Sequence, residues 1–149
     1  MADAAPGARV VVMAAAVADF RPKSPSDRKI SKGDGVPEIV LEPTPDILAG
    51  LAAARRPDQV LVGFAAETHD VLDRARSKLV AKGIDMIVAN DVAAPGVGFD
   101  HDTNAVVIVE RDGPVTEVPL TTKAAVADAV LDRVVARLGS IDPNERTVT

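Results

Sequence analysis

A chain of 149 residues with 47% hydrophobic content can bury one sizeable core but hardly two separate ones. It has no Cys, which excludes a disulfide framework and any thiolate metal site, and its two His residues, His69 and His101, are too few for a His-rich zinc centre. With 17 Lys plus Arg against 22 Asp plus Glu the net charge is −5, which argues against a general nucleic-acid-binding surface, because phosphate backbones demand a basic face.

Residues 10–18 form an apolar run preceded only by Asp3 and Arg9, with no basic cluster, so the run reads as a buried strand and not as a signal-peptide core. Its start, RVVVMAA (9–15), is β-branched at first and apolar after Arg9, which suits a strand covered on both faces of a parallel sheet. Residues 21–37 lose periodicity and collect Pro22, Pro25, Gly33, Gly35 and Pro37, so a mobile loop is expected, followed by a short strand at 38–41. Pro43-Thr44-Pro45-Asp46 predicts a helix from 44 to about 55, with Thr44 as N-cap, Pro45 in the first turn and Asp46 on the positive end of the dipole. QVLVGFA (59–65) predicts the next buried strand, 70–82 a helix stopped by Gly83, and 86–89 a further strand. The alternation of strand and helix makes an open α/β sheet the expected architecture.

Beyond Asn90 a Gly/Pro/Asp-rich loop leads to 105–110, then Asp112-Gly113, then 115–120, the pattern of an antiparallel hairpin serving as an edge or an oligomerisation arm. Residues 123–138 predict a final helix with Val126, Val130, Leu131, Val134 and Leu138 on one stripe and Gly139 as its stop. Residues 1–8 read as leader or disordered, 9–138 as one domain and 139–149 as a flexible tail. No run is long enough to cross a bilayer, so a soluble, cytoplasmic protein is expected, with no membrane and no nucleic-acid partner.

Ligands of open α/β sheets bind beyond the carboxyl ends of the strands. The first strand runs into small residues 14–18 and then Asp19, where a ligand can lie against the backbone, or where alanines simply pack helix on sheet and Asp19 makes a turn. The second runs into Phe64, which either stacks on a base or fills the core, and Glu67, which is either a helix-start carboxylate or a general base. The third ends at Asn90-Asp91, an active-site rim or an ordinary turn. Arg21, Lys23, Arg28, Lys29 and Lys32 crowd one segment of an acidic chain, either as a solvated loop or as a lid over a polyphosphate. Lys78 and Lys82, four residues apart, share a helix face, as a second cationic pair or as favourable charges near a helix C-terminus. Gly33-Asp34-Gly35 and Gly96-Val97-Gly98 are fragments of phosphate loops without the required strand and helix context.

Taken in order, AAAVADF (14–20), KISK (29–32), TPDIL (44–48), VGFAAET (62–68), KLVAKG (78–83), VANDV (88–92) with GF (98–99), and PLTTKAAVADAVLD (119–132) resemble the phosphopantothenoylcysteine synthetase family. The resemblance implies a Rossmann-like, mostly parallel sheet with flanking helices and a hairpin arm that dimerises. It further implies a two-step ligation: the carboxylate of 4′-phosphopantothenate attacks the α-phosphate of CTP, pyrophosphate leaves, and the amine of cysteine displaces CMP from the acyl-cytidylate. Carried over by motif, Ala14 and Ala15 would face the nucleotide, Asp19 would hold ribose or the metal-phosphate group, and Lys29 would be the catalytic lid lysine. Pro45, Asp46, Ile47, Leu48, Phe64, Lys78 and Lys82 would complete the CTP site, with Asn90 at its rim. Mg²⁺ would bridge phosphate oxygens with few protein ligands.

Two positions depart from the family pattern. Thr44 stands where Asn is common, and Ser31 stands where Lys is common, with Lys29 and Lys32 on either side kept. The family's first strands and its Gly-rich turn should precede Arg9 and are not in this chain, so it is expected to correspond to the later part of the synthetase and to lack full turnover alone. In many bacteria that synthetase is fused behind a flavin-dependent decarboxylase, to which FMN would belong. The competing readings are a non-catalytic nucleotide-binding or dimerisation module and, disfavoured by the absence of G-x-G-x-x-G, a dinucleotide-dependent oxidoreductase fragment.

Overall fold

A computed structural model describes residues 5–24, 28, 29, 31, 35, 38–92 and 101–141. In chain order the elements are β1 (Val10–Met13), β2 (Phe20–Pro22), β3 (Leu41–Pro43), α1 (Ile47–Ala54), β4 (Val60–Glu67), α2 (Val71–Lys82), β5 (Met86–Asp91), β6 (Thr103–Glu110), β7 (Val115–Thr122) and α3 (Lys123–Ser140). They fall into two compact units, one made of Met1–Ala14 with Leu48–Thr149 and the other of Ala15–Ile47.

The larger unit is a five-stranded sheet ordered β1-β4-β5-β6-β7. β1, β4 and β5 are parallel, with Val12 opposite Val62 and Phe64 opposite Val88, while β6 and β7 continue the sheet antiparallel. The expected open, mostly parallel α/β sheet is therefore present. Its uninterrupted apolar runs, VLV (60–62) and MIVA (86–89), are those of strands covered on both sides. Leu61 and Ala65 of β4 pack with Ala75 and Leu79 of α2 and with Leu48 of α1. Val60 and Val62 point the other way, to Met86, Val88 and the α3 residues Val126, Val130 and Val134. One sheet thus carries α1 and α2 on one face and α3 on the other. Close approach of α1 depends on Gly63, where a methyl group would meet Leu48 Cδ2 and Ile84 Cδ1 at 2.8 Å.

Several boundaries differ from the sequence expectation for identifiable reasons. Gly83 ends α2 in the left-handed conformation as expected, at φ 68°. Gly139 does not end α3; the helix runs to Ser140, whose hydroxyl donates to the Arg137 carbonyl at 2.7 Å and satisfies the last turn itself. Leu131 leaves the buried stripe, being 53% exposed, because Val126, Val130, Val134 and Leu138 at four-residue spacing define a face that Leu131 misses by one residue. At the other end of α3, Thr122 is the N-cap, its Oγ1 accepting from Ala125 N at 3.2 Å.

Residues 5–8 are held in place, contrary to their reading as disordered. Ala5–Gly7 form a 3₁₀ turn. The buried Gln59 amide donates to the carbonyls of Ala5 at 2.6 Å and Ala8 at 2.7 Å, and the Arg56 guanidinium donates to the Pro6 carbonyl. A buried amide finds its partners in this segment, and the segment finds its donors there.

The smaller unit contains a two-stranded antiparallel ribbon in which Phe20 pairs with Pro43, Arg21 with Glu42 and Pro22 with Leu41. Arg21 Nη2 and Glu42 Oε1 form an ion pair at 2.7 Å on one face. The strand expected at 38–41 is shifted to Leu41–Pro43. Thr44 secures this ribbon instead of capping α1: its N–H donates to the Asp19 carbonyl at 2.9 Å and its hydroxyl to the Ala18 carbonyl at 2.5 Å. The helix accordingly begins three residues later, at Ile47. Ile30, Lys32, Gly33-Asp34, residues 93–100 and the tail from 142 lie outside the described residues. No helix among the described residues is long and apolar enough to cross a membrane.

Candidate functional site

At the carboxyl ends of the parallel strands the two faces of the sheet are equipped differently. On the α3 face, Val60 and Val62 are fully buried, whereas Phe64, the next residue of β4 on that face, is 41% exposed and Val12, in register with Val62 on β1, is 37% exposed. The helix lies over β6, β7 and β4 and protects the lower part of β4 only. Ala66 is exposed and pairs with Asn90, which is half-buried on β5. An aromatic ring, small side chains and one carboxamide therefore line an open platform, a surface suited to a flat heterocycle with an amide at its edge.

On the α2 face, β4 ends in Glu67, a carboxylate whose side chain is only 4% exposed. Arg74 Nε donates to its Oε2 at 2.5 Å, and Lys78 Nζ lies 2.6 Å from Oε1 as a charge contact rather than a well-directed hydrogen bond. Arg74 Nη1 stands 3.4 Å from His69 Nε2, and His69 Nδ1 is 3.0 Å from Thr68 Oγ1. Burial pushes the Glu67 carboxyl up, but Lys78 and Arg74 more than offset this, so it sits below the usual carboxylate range. Glu67 is thus neither a helix-start carboxylate nor positioned as a base.

The sequence-predicted site residues divide accordingly. Phe64 and Asn90 come together on the α3 face, and Ala14 follows β1, exposed. Lys78 is on the opposite face, and Lys82 follows one turn later on α2 with a partner of its own. Leu48 packs into the space over Gly63. In the smaller unit Ala15, Asp19, Lys29, Pro45 and Asp46 are exposed, and Ile47 is 40% exposed. Arg74 is the functional candidate that sequence reasoning missed. Its signal was present, since Arg74 and Lys78 lie four apart on one helix face, but the strand carboxylate that gathers them is visible only in the fold.

Among the described residues no group of three His, Cys, Asp or Glu side chains could hold a metal ion.

Comparison with known proteins agrees with this architecture. The chain is 47% identical over 127 residues to the Coenzyme A biosynthesis bifunctional protein CoaBC of Bacillus subtilis, covering 85% of this chain and 31% of that protein. It is 43% identical over 125 residues to a protein of an unknown prokaryotic organism named Cysteine/Cysteine sulfinic acid decarboxylase, covering 84% of this chain and 35% of that one. The chain thus spans about a third of the length of these curated relatives. The crystal structure of the C-terminal domain of a CoaBC protein superposes with a TM-score of 0.73 at 37% identity, over 93% of this chain and 59% of that domain's chain. A family model described as the DNA/pantothenate metabolism flavoprotein C-terminal domain matches residues 1–138, and the chain belongs to that family.

Proposed function

We propose that this chain is the CTP-binding portion of a ligase that joins 4′-phosphopantothenate to cysteine. The observation that carries the reading is the open platform around Phe64 on a strand whose preceding same-face residues are fully buried, in a chain of this family. A large aromatic side chain left half in water at the carboxyl edge of a parallel sheet is where a nucleotide base is received. Phe64 stacks on the cytosine, Asn90 borders it, and Ala14 and Ala15 let the ribose approach the backbone. Asp19 takes the ribose or the metal-phosphate group, Pro45 to Leu48 supply further nucleotide contacts, and Lys78 and Lys82 attract the phosphates.

In the reaction a phosphopantothenate carboxylate oxygen bonds to the α-phosphorus of CTP as the bond to the pyrophosphate oxygen breaks. The cysteine amine then bonds to the acyl carbon, the acyl–oxygen bond to CMP breaks, and the amine proton goes to solvent. Lys29 balances the charge that moves onto the departing phosphate. Mg²⁺, when bound on the triphosphate, neutralises part of its charge. A second copy of the chain pairs with the hairpin whose outer strand, β7, is one edge of the sheet, giving a homodimer; a monomer by sedimentation at micromolar concentration removes that part.

The test uses the full-length protein. CMP release that depends on phosphopantothenate is expected, and Phe64→Ala is expected to raise the KM for CTP roughly tenfold, the scale of one lost stacking contact. An unchanged KM contradicts the role of Phe64. CTP-selective binding without CMP release makes the chain a non-catalytic module, and CO₂ release from cysteine sulfinate without CMP release places it with its decarboxylase-named relative.

A further inference from the structure

We infer that Arg74 and Lys78, held by the buried carboxylate of Glu67, form a phosphate-binding subsite for the distal phosphates of a nucleoside triphosphate. The inference rests on the preceding reading for the triphosphate and adds two residues to it, Arg74 as a ligand and Glu67 as a positioning residue.

The geometry has three parts. First, Glu67 is 4% exposed while Arg74 and Lys78 are 47% and 43% exposed, so the anchor is inside and both cations present half of their surface to water. Second, Arg74 spends its Nε on the carboxylate, at 2.5 Å, which fixes the plane of the guanidinium, and its Nη1, on the far side of that plane's fork, stands 3.4 Å from His69 Nε2. Third, the trio stands at the last residue of β4, beyond which open α/β sheets take their ligands. Asp91, in register with Glu67, has a partner of its own.

The trio has an internal control at the other end of the same strands. Asp85 is 6% exposed and also holds two cations, Arg55 at 2.5 Å and Arg137 at 3.8 Å, but these are only 28% and 26% exposed, and Arg137 also reaches Asp112 at 3.4 Å. Two cations sunk around a carboxylate tie elements together. Two cations standing half out of the surface, with their positions set from beneath, bind an anion without the full entropy cost of ordering long side chains. Phe64 lies three residues before Glu67, roughly 10 Å along the strand and on the opposite face. A nucleotide based on Phe64 would therefore turn its phosphates over the carboxyl edge of the sheet to reach Arg74.

The experiment is calorimetric titration of the 149-residue chain with tripolyphosphate, CTP and GTP, for wild type, Arg74→Met, Glu67→Gln, Lys78→Arg and, as a control at the far end, Arg137→Met. Saturable tripolyphosphate binding is expected. Arg74→Met and Glu67→Gln should each weaken it at least about tenfold, Lys78→Arg less than about threefold, and Arg137→Met not at all. Thermal midpoints recorded on the same samples separate a tether from a site: a purely structural Glu67 lowers the midpoint and leaves the tripolyphosphate Kd unchanged, which overturns the inference. Absence of saturable binding to wild type, or an equal Kd in Arg74→Met, also overturns it. If tripolyphosphate binding depends on Arg74 while CTP and GTP bind alike, the subsite stands and the cytidine reading falls. If CTP is preferred but insensitive to Arg74, the reverse holds.

Discussion

Each end of the parallel strands buries one carboxylate between two cations, and the two trios are built to different ends. At the amino end, Asp85 Oδ2 accepts from Arg55 and from the backbone N–H of Leu61 at 2.9 Å, joining the residue that follows α1 to the start of β4. Nearby, Arg133 donates to Glu110 at 2.6 Å and Arg111 to the Ile84 carbonyl at 2.7 Å. Nearly every charge there has a protein partner. At the carboxyl end, Glu67 gathers Arg74 and Lys78 on the face opposite the exposed Phe64, and both cations are about half exposed. Charges that meet within the protein stabilise it, and charges that are organised but left half hydrated can still meet a ligand.

The largest effect should come from the amino end. Asp85→Asn leaves the partly buried Arg55 without its counter-charge and Arg137 with Asp112 alone, and should cost about 3 kcal/mol in urea unfolding, with tripolyphosphate affinity unchanged. A loss below about 1 kcal/mol would remove the distinction drawn between the ends.

Glu67→Gln should cost less, roughly 1–2 kcal/mol, because its cations keep part of their hydration. Its pH dependence has a definite sign. The carboxyl sits below its ordinary value of 4.5 in the folded chain, so its contribution is complete above that pH and is lost as pH falls through the lowered value. Wild type should therefore lose more stability than Glu67→Gln between pH 5 and pH 3, in urea midpoints taken across that range. Parallel curves would show that Glu67 is not held by its two cations.

The smallest effect on stability belongs to Arg74→Met, below about 1 kcal/mol, as for an ion pair whose basic partner is 47% exposed. A small effect on folding together with a large one on phosphate binding would sharpen the comparison. A large effect on folding would assign Arg74 to the same class as Arg55.

Much of the fold was legible in the residues. The runs VLV and MIVA, Gly83 after α2 and Asp112-Gly113 between β6 and β7 are local signals, and each element formed where its signal stood. What was not legible depends on partners distant in sequence. β2 and β3 have three residues each and no periodicity, and they exist because Arg21 meets Glu42 and Thr44 bonds the carbonyls of Ala18 and Asp19. Thr44 was expected to cap a helix because a cap needs only the next three residues, whereas its actual partners lie 25 and 26 positions back. The candidate site divides in the same way. Phe64 stood out by the rarity of aromatic residues, 2% of the chain. Arg74 did not stand out, because its meaning comes from a strand residue seven positions earlier whose side chain the fold buries.

The measurement that bears most directly on the central claim is an amide chemical-shift titration of the 149-residue chain with CTP and Mg²⁺. The account predicts saturable shifts concentrated at the carboxyl end, at Phe64, Ala66, Asn90, Arg74 and Lys78, with Leu61, Asp85, Glu110 and Arg133 unmoved. Shifts confined to the amino end around Asp85, or no saturable shift at Phe64 and Arg74, would contradict it.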